Sequence, residues 1–341
     1  MDASLPTTSG HSSAADNILS LRGLTTEFRG RHTRIRANDD LRLAIKRGST
    51  LGIVGESGSG KSVMCRSILR LWPPSVDVHV SGIVEYEGRD LLRLSEEDMR
   101  RLRGTELRMV FQNPMTSLNP VWPIGDQVTE GLRLYGGLTK AAARKKAVEM
   151  LGRVGIPSPE RRVDEYPYQW SGGMLQRAAI AMAMTGSPKL LFADEPTTAL
   201  DVTIQDQILA LLLELQERTG MTLVLVSHDL AVVAETCDRI AVMYAGRIVE
   251  TAPTREIFSA PRHPYTVGLL RSIPHLSAGA RLKPIPGQPP DLAELGPGCP
   301  FAPRCIYASP DCATTPVHLA AAGPDHLTAC LYPERIGQAA A

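Results

Sequence analysis

The sequence predicts an α/β domain built on a parallel sheet, followed by an irregular cysteine-rich extension. Three observations carry this. The apolar run Leu51-Gly52-Ile53-Val54 leads straight into Gly55-Glu56-Ser57-Gly58-Ser59-Gly60-Lys61-Ser62 and then into a helical pattern. Two further short apolar runs, Leu190–Ala193 and Thr222–Ser227, enclose a helical stretch, Thr203–Arg218, the alternation that marks parallel strands. Beyond about residue 256, prolines 261, 264, 274, 284, 286, 289, 290, 297, 300 and 303 exclude any long helix or strand.

Taken in order, residues 1–16 are rich in Ser, Thr and Ala and read as a disordered tail. Ile18–Arg22 and Ile45–Val54 read as strands. Ser62–Leu71 reads as a helix stopped by Trp72-Pro73-Pro74. Ser81–Gly88 has the pattern of a hairpin strand with its turn, and Leu107–Phe111 that of a strand ending at Gln112. Residues 113–187 are dominated by helix formers, with an amphipathic stretch over Leu138–Arg153, and read as a helical insertion. Ile240–Met243 and Arg247–Glu250 flank Tyr244-Ala245-Gly246 as a hairpin. These readings give a domain over 17–255 and an extension over 256–341. No internal repeat is present, so the chain carries one such unit.

Bulk properties narrow the function classes. The chain has 341 residues and a net charge of +1, from 37 basic and 36 acidic side chains. That balance offers no global field for nucleic acid or an anionic membrane. No apolar run reaches the roughly 18 residues of a membrane helix, and the N-terminus lacks a signal pattern. The expectation is a cytoplasmic protein whose membrane role, if it has one, comes through partners.

The octet from Gly55 to Ser62 fits G-x-x-x-x-G-K-[ST], and its strand–loop–helix setting is the context a phosphate loop requires. Gly55, Gly58 and Gly60, with Ser57 and Ser59 between them, let backbone N–H groups face phosphate oxygens, and the following helix adds its positive end. Lys61 neutralises β- and γ-phosphate oxygens, and Ser62 ligates Mg²⁺. Leu190–Glu195 is an apolar strand ending in two acids, which places both at the carboxyl edge of a parallel sheet. Asp194 then holds Mg²⁺ through water, and Glu195 acts as general base on the attacking water. Taken alone, an Asp-Glu pair is usually a solvated turn; its position after the phosphate loop favours the catalytic reading.

With Trp170-Ser171-Gly172-Gly173-Met174 about 110 residues after the loop, and His228 33 residues beyond Glu195, the chain resembles the ATP-binding-cassette (ABC) family. The resemblance implies a phosphate-loop NTPase core with an antiparallel β subdomain and a helical signature subdomain. It implies that Gln112 is the Q-loop glutamine, sensing Mg²⁺ and water, in a loop that touches a membrane subunit. Ser171, Gly172 and Gly173 match the signature loop that caps the γ-phosphate bound to a partner ATPase. Asp201 matches the D-loop at the dimer seam, and His228 the switch histidine on the γ-phosphate. Phe28 is the candidate to stack on adenine, with a core phenylalanine ending a strand as the alternative. Trp170 stands where the family usually has leucine, and Met174 where it usually has glutamine.

Several stretches are similar to the ATPase subunits of dipeptide/oligopeptide importers: Phe111–Pro120, Asp194–Thr203, Pro261–Thr266, Pro284–Gly287 and Gly298–Cys305. That branch also includes nickel and glutathione importers. The resemblance implies a second, related ATPase subunit, two transmembrane permease subunits, an extracytoplasmic solute-binding protein and no nucleic acid. It places the chain at the cytoplasmic face of the inner or plasma membrane. Cys299, Cys305, Cys312 and Cys330 are spaced C-x5-C-x6-C-x17-C. Four thiolates complete either a tetrahedral Zn²⁺ site or a [4Fe–4S] cluster. The branch is associated with the cluster; zinc and unmetallated thiols remain open. A soluble, non-transport ABC ATPase is the rival function. Translation-type members usually carry two ATPase units in one chain, and DNA-repair types a long coiled coil; neither feature is present.

Overall fold

A computed structural model describes residues 16–31, 33–198, 200–273 and 284–336. The expectation of a disordered N-terminal tail falls almost wholly outside them. The strands are β1 (Asn17–Arg29), β2 (Arg34–Lys46), β3 (Thr50–Val54), β4 (Val78–Tyr86), β5 (Arg89–Asp90), β6 (Leu107–Val110), β7 (Leu190–Asp194), β8 (Thr222–Ser227), β9 (Arg239–Tyr244), β10 (Arg247–Pro253), β11 (Ala320–Gly323) and β12 (His326–Thr328). They form a four-stranded sheet, β2-β1-β4-β5, and an eight-stranded sheet, β11-β12-β10-β9-β3-β8-β7-β6.

The run Ile45–Val54, read from sequence as one strand, is two. Gly48 takes φ +70° in the turn between them. That turn sends β2 antiparallel along β1 while β3 enters the other sheet between β8 and β9. The β3, β6, β7, β8 and β9 strands run parallel, with Leu51 opposite Val224 and Leu191 opposite Leu223. Their side chains alternate between two cores, as a sheet covered on both faces requires. Leu191, Ala193, Leu223 and Leu225 face one core; Leu190, Phe192, Val224 and Val226 face the other. Near-continuous apolar runs are the sequence consequence.

The helix after the phosphate loop spans Lys61–Ile68, ending before the predicted Leu71 because Arg70 turns to φ +52°. Residues 113–187 contain helices Ile124–Tyr135, Lys140–Arg153 and Gly172–Met184, packed through Val128, Ala147, Met150, Leu151, Leu175 and Ile180. Thr139 caps the second of these by accepting from the Ala142 N–H.

Past residue 255 come two short helices, Thr254–Ser259 and Pro264–Arg271, then mostly turns. Yet β12 pairs antiparallel with β10, so the extension continues the main sheet. A buried carboxylate holds that junction. Glu250, fully buried, accepts from the Arg262 and His263 N–H groups at 2.5 and 3.0 Å and lies 2.7 Å from His326 Nε2.

Candidate active site

Because β3, β6, β7 and β8 are parallel, their carboxyl ends lie along one edge of the sheet. Gly55 follows β3, Gln112 follows β6, Asp194 ends β7 and His228 follows β8. An open pocket of about 680 Å³ lies at this edge, bordered by Phe28, residues 57–63, Gln112, Glu195 and His228.

The phosphate loop owes its shape to two glycines in particular. A Cβ on Gly55 would sit 2.2 Å from the Met243 carbonyl, and one on Gly60 2.5 Å from that of Ala37, at φ +98°. Lys61 Nζ donates to the carbonyls of Gly55 and Glu56 at 2.8 and 3.1 Å, closing the loop on itself. Burial pulls the Lys61 ammonium below the usual lysine range, opposed by the charges of Glu195, Asp194 and Glu56. Ser62 Oγ donates to Asp194 Oδ1 at 2.8 Å. Burial raises the Asp194 carboxyl, which is 2 % exposed, and the Ser62 hydroxyl counters that shift.

Glu195 is backbone-strained, with φ +45°, a conformation that clusters at functional sites. Its carboxylate takes hydrogen bonds from Thr198 Oγ1 at 2.9 Å and Gln112 Nε2 at 3.0 Å, and His228 Nδ1 lies 3.3 Å away. One carboxylate, oriented by three side chains at a pocket beside a phosphate loop, is the arrangement a water-activating base needs. Ser62 and Gln112 line the pocket with oxygen-bearing side chains, and the buried Asp194 carboxylate stands behind Ser62, hydrogen-bonded to it. That suits Mg²⁺, which is usually held by one or two carboxylates plus substrate phosphates. Phe28, half-buried, meets Trp72 edge-on, with ring centres 5.1 Å apart, and turns toward the pocket.

Ser171, Gly172, Gly173 and Asp201 are not brought to this pocket. Ser171 caps the helix Gly172–Met184 through the Met174 N–H, and Asp201 caps Val202–Thr219 through the Ile204 N–H at 3.0 Å. The two caps are neighbours, since a Cβ on Gly173 would meet Ile204 Cγ2 at 3.1 Å. Together they offer an exposed helix N-terminus of the kind that suits an anion. Trp170 is 7 % exposed and donates its indole N–H to Glu165 at 2.7 Å, which anchors the start of this loop.

The four tail cysteines line one small cavity with His263, Phe301 and Tyr332. None of the six cysteines is in a disulfide. The Cys299 N–H donates to the Cys312 carbonyl at 2.8 Å. Burial pushes the thiols of Cys299 and Cys305 up, and that of Cys330 to about 11. The donor set suits a thiophilic metal. Among the described residues, however, no three His, Cys, Asp or Glu side chains stand in a ready metal-binding arrangement.

Residues 38–198 match the family model for ABC transporter, and 249–312 that for the oligopeptide/dipeptide transporter C-terminal region. A peptide import ATP-binding protein of Brucella melitensis is 50% identical over 326 residues, covering 92% of this chain and 96% of that protein. The chain belongs to the ABC transporter family. A peptide ABC transporter ATP-binding protein of Sinorhizobium fredii is also 50% identical, over 93% of this chain and 95% of its own length. Among solved structures, the ATP-binding cassette MJ0796, a dimer bound to ADP and Pi, matches at TM-score 0.62 and 30% identity. That match covers 70% of this chain and 99% of the cassette. The cassette cbiO1 of Clostridium perfringens matches at TM-score 0.60 and 29% identity, over 74% and 95%. The ABC ATPase fold thus accounts for the two sheets and the helical segment.

Three residues at this ABC site escaped the sequence reading. Thr198 holds Glu195. Tyr265 and Arg304 reach Glu56 of the phosphate loop from the extension. The only signal for the last two was their place within Pro261–Thr266 and Gly298–Cys305.

Proposed function

We propose that this chain is the ATP-hydrolysing subunit of a peptide importer. The observation that carries the reading is the convergence of Lys61, Ser62, Gln112, Asp194, Glu195 and His228 at one sheet edge, in a chain half identical to peptide import ATP-binding proteins.

Lys61 and the loop N–H groups bind the β- and γ-phosphates of ATP. Ser62 and Asp194, with Gln112 beside them, hold Mg²⁺, which when bound neutralises charge on the phosphate oxygens. Glu195 takes a proton from water as the water's oxygen attacks the γ-phosphorus, and the bond to ADP breaks. His228 and Gln112 keep that carboxylate aimed, and Phe28 stacks on the adenine. Ser171, Gly172, Gly173 and Asp201 serve the nucleotide of a second, related ATPase subunit. Their exposure away from the chain's own pocket supports that role, as does the dimeric state of MJ0796.

Two permease subunits carry the path; among the described residues of this chain no helix is long and apolar enough to cross a membrane. The segment after Gln112 exposes Met115, Val121 and Trp122, at 62, 73 and 47 %, which supports docking of a permease there. The complex takes peptide from an extracytoplasmic solute-binding protein, and this chain sits peripherally on the cytoplasmic face. Cys299, Cys305, Cys312 and Cys330 hold a [4Fe–4S] cluster, or Zn²⁺ in its stead, which staples an extension poor in apolar core. The test is uptake of a labelled peptide by cells lacking this chain. Uptake is lost, and returns with the wild-type chain but not with Glu195→Gln; undiminished uptake without the chain overturns the reading.

A further inference from the structure

Glu56 is gripped at every hydrogen-bonding point it has. Its N–H donates to the Tyr265 hydroxyl oxygen at 2.8 Å. Its carbonyl accepts from Lys61 Nζ at 3.1 Å. Its carboxylate takes both terminal nitrogens of Arg304, at 2.8 and 3.0 Å. Its carbonyl also takes the Ser59 N–H at 3.2 Å; two of these four partners come from beyond residue 255, and the Arg304 contact spans 248 residues of chain.

Arg304 itself has no slack. Its side chain is 6 % exposed. Nε donates to the Pro286 carbonyl at 2.8 Å, and Nη1 also reaches the Tyr244 hydroxyl at 3.2 Å. Tyr244, Tyr265 and Phe301 pack ring on ring with centres 4.5 to 5.4 Å apart, wedging β9, the helix Pro264–Arg271 and the turn that carries Arg304. That turn is stitched by the Ala302 N–H to the Cys299 carbonyl and the Arg304 N–H to the Phe301 carbonyl, at 3.0 and 2.9 Å. A planar guanidinium fork fixes both the position and the orientation of a carboxylate, which a lysine cannot do.

We infer that Arg304 is a positioning residue for the phosphate loop, through which docking of the C-terminal extension sets the affinity for ATP. The inference rests on the reading that this loop binds ATP. Lys61 bonds the same residue that Arg304 holds, so drift of Glu56 reaches the ammonium that meets the phosphates. The effect falls on binding, because the loop grips the phosphates in the ground state and transition state alike.

The test is calorimetric titration of the purified full-length chain with Mg·ADP, alongside steady-state ATP hydrolysis. Arg304→Met weakens binding about tenfold, close to 1.4 kcal/mol. Arg304→Lys falls between it and wild type, and both raise KM while kcat moves by less than about twofold. Combining Arg304→Met with Glu56→Gln adds nothing to Arg304→Met alone, as a shared interaction requires. A folded Arg304→Met with lowered Tm but wild-type affinity assigns Arg304 to stability only and overturns the inference, as does full additivity. Should Arg304→Met fail to fold, Glu56→Gln and Tyr265→Phe decide it: weakened binding in both supports the coupling, and wild-type affinity in both ends it. A wild-type chain that binds no nucleotide refutes the ATP-site reading instead.

Discussion

Replacing Glu195 with glutamine separates binding from chemistry at this site. The carboxylate is fixed by Thr198, Gln112 and His228 at 2.9, 3.0 and 3.3 Å. All three partners meet one oxygen, Oε2, so a glutamine of the same volume can set its amide oxygen there and keep them. Its amide cannot take a proton from water. Loss of a positioned base lowers rates by about 10²–10⁴, or roughly 3–5.5 kcal/mol of barrier. Affinity for ATP holds or tightens, because the substitution removes a negative charge beside the phosphates. The assay is single-turnover phosphate release from the assembled transporter, with nucleotide affinity measured in parallel. Release within about threefold of wild type, at unchanged affinity, would refute Glu195 as the base.

Gly60→Ala should abolish nucleotide binding in a folded chain, since its Cβ lands 2.5 Å from the Ala37 carbonyl at φ +98°; wild-type affinity by titration would contradict this. His263 is buried, and that burial lowers its pKa from 6.5 to about 4. The unfolded chain therefore takes the proton first. Stability present above pH 6.5 is lost as pH falls toward 4, by roughly 2–3 kcal/mol at pH 4.5. Asparagine at 263 can still cap Tyr265 but does not titrate, so urea melts of His263→Asn should show that much less acid sensitivity; parallel pH curves would be inconsistent with the account. The anaerobically purified chain should contain about four irons, or one zinc, and Cys305→Ser should lose the metal and soften the extension. A metal-free wild-type chain of full stability removes the staple.

Residues whose roles depend on near neighbours in sequence were the legible ones. The β3 strand announces itself by its apolar run, and the loop after it by a glycine spacing that, behind such a strand and before a helix, marks a phosphate-binding turn. Asp194 and Glu195 were placed by the strand before them. Contacts made across the chain left no such trace. Arg304 and Glu56 stand 248 residues apart, and neither sits in a periodic pattern that points at the other. The buried triad of Glu250, His263 and His326 reads in sequence as ordinary polar residues, because burial of charge is decided by what folds over it. The β11–β12 hairpin hid for a similar reason. Ala320–Gly323 has almost no strand character, and it is ordered by pairing to β12, whose own neighbour is β10. Trp170 gave no reason for itself until Glu165 appeared beside its indole nitrogen.

The central claim is that this ATPase drives transport through membrane partners. The most direct measurement is a mild-detergent pull-down of the chain from its native membranes, with every co-purifying protein identified. The account predicts two multi-span subunits, a second related ATPase and a solute-binding protein that carries peptide. Recovery of ribosomes or DNA-repair factors without any membrane protein would contradict it.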